Sequence, residues 1–162
     1  NAKVQYLDSK YDDLHLYTAA PRDNFACPFT LTGAFAGGAP VKDFNCSGTT
    51  GLFAPKWTLN LGAEQIVPVT DKLEVVANVN TAWRDSQWGA FERLPFELIP
   101  SYWTTDATLT LRNADGHWAI SGFVQNIENK RRDLAPQSSP IGVAVAHYSA
   151  PRTYGLRLSA DF

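Results

Sequence analysis

The residues of this chain whose types and spacing could do chemistry are two cysteines, three histidines, a basic triplet and an aromatic-rich loop. Cys27 and Cys46 lack the Cys-x-x-Cys spacing of a thiol–disulfide enzyme, so redox catalysis is not expected. Whether they are bonded or remain two buried thiols stays open. A bond between them would close a loop of about twenty residues and restrict the unfolded chain by roughly 3 kcal/mol. His15, His117 and His147 are scattered, and two cysteines without nearby histidines do not make a zinc site. Glu92 and Glu97 could be imagined as a glycosidase pair, but two carboxylates in one loop are commonplace. Ala36-Gly37-Gly38-Ala39 lacks the spacing of a phosphate loop, and no Gly-x-Ser-x-Gly elbow occurs. The reading is therefore no enzyme, no metal and no cofactor. Two binding candidates remain. Trp88, Phe91 and Phe96, beside Arg84, Asp85, Glu92, Arg93 and Glu97, suit a sugar or chelate platform, or simply pack on one another. Lys130-Arg131-Arg132 could meet phosphates, or could be a solvated strand end.

Composition narrows the setting. The 162 residues suggest one domain or one piece of a larger one. Fourteen basic against sixteen acidic residues give a net charge of -2, which speaks against a nucleic-acid partner. No apolar run approaches the length of about 18 residues that a transmembrane helix needs. A transmembrane strand, whose signal is alternation, stays open. Methionine is absent and the chain begins at Asn1 without a leader, so it reads as a processed chain or the C-terminal part of a longer one.

These residues must be positioned by strands. Six stretches alternate with period two, and no helical period is sustained. They are 2–14 (the least regular), 57–64, 73–84, 103–112, 118–125 and 154–162. In the last, Tyr154, Leu156, Leu158, Ala160 and Phe162 oppose Gly155, Arg157, Ser159 and Asp161. The connections run long, short, long, short, long: loops 15–52, 87–101 and 132–150, with turns 67–71 and 113–116. Asp115-Gly116 is a tight hairpin signal. The expected fold is all-β, an antiparallel up-and-down meander of about six strands with its long loops at one end.

Alternation alone fits two settings. A soluble sandwich buries the apolar face against a second sheet; a membrane barrel puts it into lipid. Trp57, Trp83, Trp103 and Trp118 near strand ends suit an aromatic girdle. Glu74, Arg84, Asp106, Arg112 and Arg157 on the opposite face suit a lumen or a plug contact. Six strands are fewer than the roughly eight of the smallest single-chain bacterial barrels. The membrane reading thus expects the last portion of a larger barrel, because an open edge is not tolerated in hydrocarbon.

Three segments carry a resemblance. Ser149-Ala150-Pro151-Arg152-Thr153-Tyr154-Gly155-Leu156-Arg157-Leu158-Ser159-Ala160-Asp161-Phe162 resembles the final strand of TonB-dependent outer-membrane receptors. Ala54-Pro55-Lys56-Trp57-Thr58-Leu59-Asn60-Leu61-Gly62 looks like that family's strand with a Pro-x-Trp-x-x-Asn signal. His117-Trp118 to Gln125-Asn126-Ile127 is similar to its penultimate strand, although Glu128-Asn129 stand where the family often has Phe-Asp. The resemblance implies the C-terminal segment of a 22-stranded, plugged barrel. It implies energy-coupled import of a scarce solute such as an iron chelate, cobalamin or saccharide across a Gram-negative outer membrane. The implied partners are outer-membrane lipid and lipopolysaccharide, the small-molecule ligand, and a plug domain and TonB reached through an N-terminal part outside this chain. The barrel-assembly machinery would read Tyr154, Leu156, Leu158 and Phe162 as a strand to pair. The alternatives are a soluble β-sandwich that binds carbohydrate and a passive porin.

Overall fold

The computed structural model describes residues 1–19, 25–35, 37–138 and 143–161. The described residues are all-β, with antiparallel pairing throughout and one 3-10 turn at Pro95–Glu97. In chain order the strands are β1 (Ala2–Tyr6), β2 (His15–Ala19), β3 (Phe29–Ala34), β4 (Pro40–Asn45), β5 (Trp57–Thr70), β6 (Leu73–Arg84), β7 (Gln87–Trp88), β8 (Leu98–Ile99), β9 (Tyr102–Asn113), β10 (Trp118–Gln125), β11 (Gln137–Ser138), β12 (Ala144–Val145) and β13 (Thr153–Ala160). Six of them form one open sheet, β1-β5-β6-β9-β10-β13, each strand paired with the next.

Register places all the apolar faces of that sheet on one side. Leu59 pairs with Trp83 and Trp83 with Trp103. Ala77 pairs with Leu109, Leu109 with Gly122, and Gly122 with Leu156. A one-residue slip in any pair would turn one strand's apolar set to the wrong side, so the alternation itself fixes the register. The Asp-Gly turn forms as its chemistry requires: Gly116 takes φ +81 and its N–H donates to Asn113 O at 2.9 Å.

Several expected boundaries are corrected. The first strand stops at Tyr6 rather than running to 14. The turn expected at 67–71 is only Asp71-Lys72, because β5 continues through Pro68. Proline survives there because β1 covers β5 only as far as Leu61, which leaves the rest of β5 an edge, and a register shift follows between Pro68 and Thr70. The long connections are also not plain loops. Residues 15–52 hold a three-stranded sheet, β2-β4-β3; 87–101 hold the β7–β8 pair; 132–150 hold β11–β12.

The small sheet has its own core: Phe44, Cys27 and Cys46, flanked by Leu14, Leu16 and Phe25. Cys27 and Cys46 are disulfide-bonded with Cα atoms 5.2 Å apart. The large sheet is the reverse. On its apolar side Tyr154, Leu156 and Leu158 are 81%, 79% and 75% exposed and Leu109 is 58% exposed, while Val76 on the other side is 9% exposed. Among the described residues the strands touch mainly their hydrogen-bonded neighbours, and no second sheet lies across the large one. The accessible surface is 10722 Å². A self-contained monomer of this mass would show about 8000 Å².

Candidate functional site

The polar side of the large sheet collects the five charged residues that sequence placed there. Glu74 and Arg112 face each other across β6 and β9 and form an ion pair, Nε to Oε1 at 2.5 Å. Asp106 Oδ1 accepts the Asn126 N–H at 2.9 Å. Arg157 lies over the Phe123 ring, 6.0 Å from its centroid. That ring in turn crosses Gly155, where a Cβ would sit 2.8 Å from it. Arg84 is exposed at the opposite end from Glu74, in register with Thr58 and Tyr102. Between these residues runs an amide ladder: Asn80 Nδ2 donates to Asn78, and Asn78 Nδ2 to Glu64. The surface is hydrogen-bonding and of mixed charge. On the apolar side, Thr81 and Thr105 meet hydroxyl to hydroxyl at 2.8 Å, and the Thr105 hydroxyl also donates to Glu128.

At the end where the long connections meet, they interlock. The Ala26 N–H donates to Glu92 O and the Phe53 N–H to Trp88 O. Gly89 lies against the buried Pro136, and a Cβ at Gly89 would fall 2.5 Å from Pro136 Cγ. The aromatics Trp88, Phe91 and Phe96 do not form one platform. Trp88 receives the Arg93 guanidinium at 5.6 Å, and Phe91 packs on Tyr11 at 5.9 Å. Phe96 lines a cavity. Phe91 thus lies against the 8–13 segment, and the Trp88 carbonyl is tied to Phe53. Glu97 is fully buried, its Oε2 accepting the Leu94 N–H at 2.9 Å, while Glu92 lies apart on the 26-side contact.

Two adjoining cavities open here. The larger, about 480 Å³, is lined by Phe96, Ile99, Arg131, Arg132, Val145 and Tyr148 among others. The smaller, about 390 Å³, is lined by Tyr102, Trp103, Glu128, Lys130, Arg131 and Arg132 among others. Both fall in the range of small-molecule sites. The basic triplet is held by Asn126, which is buried, takes a positive φ and was not singled out by sequence as an organiser. Its Nδ2 donates to Lys130 O and Ala150 O at 3.0 Å each, and its Oδ1 accepts the Lys130 N–H at 3.2 Å. Arg132 lies 4.3 Å over Tyr102 and donates to the Thr104 hydroxyl. Glu128 accepts the Thr105 N–H and hydroxyl at 2.9 and 2.5 Å. Burial alone would raise the Glu128 carboxyl; the bonds from Thr105 and its own N–H, with the charge of Arg132, outweigh it and hold the group below the usual range.

The histidines stay apart: His15 pairs with Asp43 at 2.7 Å, His117 lies in the 114–117 turn, and the His147 N–H donates to Asp133. Tyr154, Leu156 and Leu158 lie on β13, an edge paired on one side only. Phe162 lies outside the described residues. No family model, no curated relative and no solved structure matches the chain.

Proposed function

We propose that the chain is part of the wall of an outer-membrane β-barrel, the C-terminal segment of a TonB-dependent receptor that imports a scarce solute. The observation that carries this reading is the inversion of the large sheet. Six strands in register present one continuous apolar face, and that face is more exposed than the polar one. Water does not reward such a face at this extent; acyl chains do. The dimensions agree. From Trp103 to Trp118, which adjoins the Ala119–Arg112 pair, the sheet runs about 33 Å along the strand, or roughly 25 Å along the membrane normal at a barrel's tilt. The Thr81–Thr105 bond leaves these two hydroxyls satisfied on the lipid side.

In this reading Glu74, Arg84, Asp106, Arg112 and Arg157 face the lumen and hold the plug domain by exchangeable polar contacts. The interlocked long connections are extracellular and bound the ligand route. The β13 edge, with Tyr154, Leu156 and Leu158, is what the assembly machinery pairs. The chain contributes binding and gating and no catalytic step. The resemblance of the 54–62, 117–127 and 149–162 segments supports the family; the exposed apolar face supports the membrane setting.

The test is fluorescence quenching by brominated phosphatidylcholine. Trp57, Trp83, Trp103 and Trp118 are expected to be quenched, and most strongly by bromines near the acyl carbonyls. A chain that stays monomeric without detergent and shows no quenching would overturn the proposal. Sequencing the reading frame ahead of Asn1 checks the family: a plug domain and a TonB-contact segment are expected, and a porin would lack both.

A further inference from the structure

We infer that the open edge of β3 pairs with the same edge of a second copy of this chain. The inference concerns the small sheet and does not depend on the membrane reading, which rests on the large one. β3 ends the order β2-β4-β3, and no strand lies on its other side among the described residues. The β3–β4 ladder shows which groups face out. The Asn45 N–H donates to Pro28 O at 3.0 Å, so residues 28 and 45 are a hydrogen-bonded pair in the register that sets Phe29 opposite Phe44. Alternation along an antiparallel ladder then turns the backbone groups of Thr30 and Thr32 toward β4 and points the N–H and C=O of Phe29 and Leu31 outward. Native edges are blunted by charge, by proline or by bulges. The other terminal strands of the two larger sheets carry such guards: Lys3 in β1, Arg157 in β13, and His15, paired with Asp43, in β2. β3 has no charge to guard it, because residues 25–41 include no charged side chain. Pro28 bounds the straight part of its edge at one end and the bulge at Gly33, φ +53, at the other.

The exposed side chains select the occupant. Phe29 and Leu31 share a face with Phe44, which is 1% exposed; one strand further out they are 46% and 65% exposed. A strand that completes this layer is apolar on that face and hydroxylated on the other, and β3 itself has that pattern. With a two-fold axis at Thr30, Phe29 of each copy lies opposite Leu31 of the other. These are the residues whose backbone groups point outward, so every outward N–H and C=O of the pair finds a partner. Thr30 meets its own copy on the opposite face, and Phe–Leu and Thr–Thr are favourable cross-strand pairs. A shift of one residue sets Phe29 and Leu31 against threonines of the other face. A shift of two runs past Pro28 or into the Gly33 bulge. No like charges meet, because Lys42, opposite Leu31 in β4, lies behind β3 with its ammonium 4.6 Å over the Phe29 ring. The contact is small, below the roughly 1200 Å² of stable complexes, so the dimer is reversible and depends on concentration.

The experiment is oxidative cross-linking of the full chain, in water and in dodecyl maltoside, over a range of concentrations. Thr30→Cys sets two thiols across the axis, where the Cα atoms of a non-hydrogen-bonded pair lie about 4.5 Å apart and a disulfide can close. Thr32→Cys sets them about 13 Å apart along the strands, beyond reach. The expected result is a reducible dimer from Thr30→Cys that rises with concentration and maps by peptide mass to position 30, and about tenfold less from Thr32→Cys. Leu31→Pro removes an outward N–H from each copy and no bond to β4. On the Thr30→Cys background it should lower the dimer yield about tenfold, and Leu31→Lys should lower it through charge. Slow amide exchange at Phe44 shows that the small sheet is intact in each; if Leu31→Pro loses it, Leu31→Lys decides. Equal cross-linking at positions 30 and 32, or full dimer yield in a Leu31 variant whose Phe44 stays protected, overturns the inference. So does an adduct of Thr30→Cys with a different protein, and no homodimer, in expressing cells, which would give this edge to another partner. The bromolipid quenching reads the large sheet, and neither of its results changes this outcome.

Discussion

The six-stranded and three-stranded antiparallel sheets of this chain solve the same problem in opposite ways. Both carry apolar residues on one face of their strands, although Lys42 shares the buried face of Phe44 in β4. The small sheet, β2-β4-β3, folds its alternation inward around Phe44 and pins it with the Cys27–Cys46 bond. The large sheet leaves Leu109, Leu156 and Leu158 uncovered and buries Val76 on the side that carries the charges. Alternation therefore dictates a two-faced ribbon but not its solvent. What decides the solvent is whether the chain supplies a second layer. It supplies one to the small sheet, through Phe25 and Leu14, and none to the large one.

The largest effect is expected where a true core exists. Phe44→Ala removes a ring that is 1% exposed and packed on Phe25 and Phe29 at 5.1 and 5.2 Å. It should cost about 3–5 kcal/mol in the small sheet. Amide exchange should accelerate at Leu16 and Phe44 and stay slow at Val75 and Leu111. Joint loss of protection in both sheets would show one cooperative unit and end the contrast. Reducing the disulfide is next, at about 3 kcal/mol for a loop of this size. The same exchange measurement should confine its effect to β2, β3 and β4.

The contrast sharpens at Leu109, which lies midway along β9 between the Trp rows. In a protein whose face meets water, Leu109→Arg at an exposed site costs almost nothing. In a bilayer near mid-depth it costs about 2–4 kcal/mol. Urea unfolding of the vesicle-reconstituted barrel that contains this segment, compared with the isolated chain in water, separates the two. A shift below about 0.5 kcal/mol in vesicles, the ordinary size for a surface substitution, would remove the reason for treating the large sheet as lipid-facing.

Period-two alternation makes the large sheet legible in the sequence. The 73–84 and 118–125 stretches match β6 and β10, and their apolar faces fall on one side as the alternation requires. The small sheet was not legible for a physical reason. Its strands are five or six residues long, Gly33 interrupts β3, and Gly37 and Gly38 follow it, so no stretch alternates long enough to stand out. Pro68 read as a turn because a proline inside a strand is tolerated only at an edge, and edges are set by a partner elsewhere in the chain. At the candidate site the basic triplet was visible, as was the aromatic loop. Their relation was not, because Asn126 holds the triplet at Lys130 and ties it to Ala150, and of the three loop aromatics Phe96 lines the cavity beside it. Such placement depends on contacts across long chain separations, which local pattern does not carry.

The smallest expected effect concerns the join between the large sheet and these connections. Glu128 accepts two bonds from Thr105 beside β10's end, and its carboxyl is held below the ordinary value of 4.5. The folded chain therefore holds that proton less readily than the unfolded one. The stabilisation is complete above the ordinary carboxylate range and is lost as pH falls through the lowered folded value. Exchange at the Thr105 amide should stay protected from neutral pH down to that range. Below it, protection should fall beyond the intrinsic pH trend, while Val75 keeps its own. Glu128→Gln has no proton to take up there, so its Thr105 protection should follow the intrinsic trend alone. An acid-induced loss of protection that persists in Glu128→Gln would assign the step to another carboxylate and uncouple the connections from the strand end.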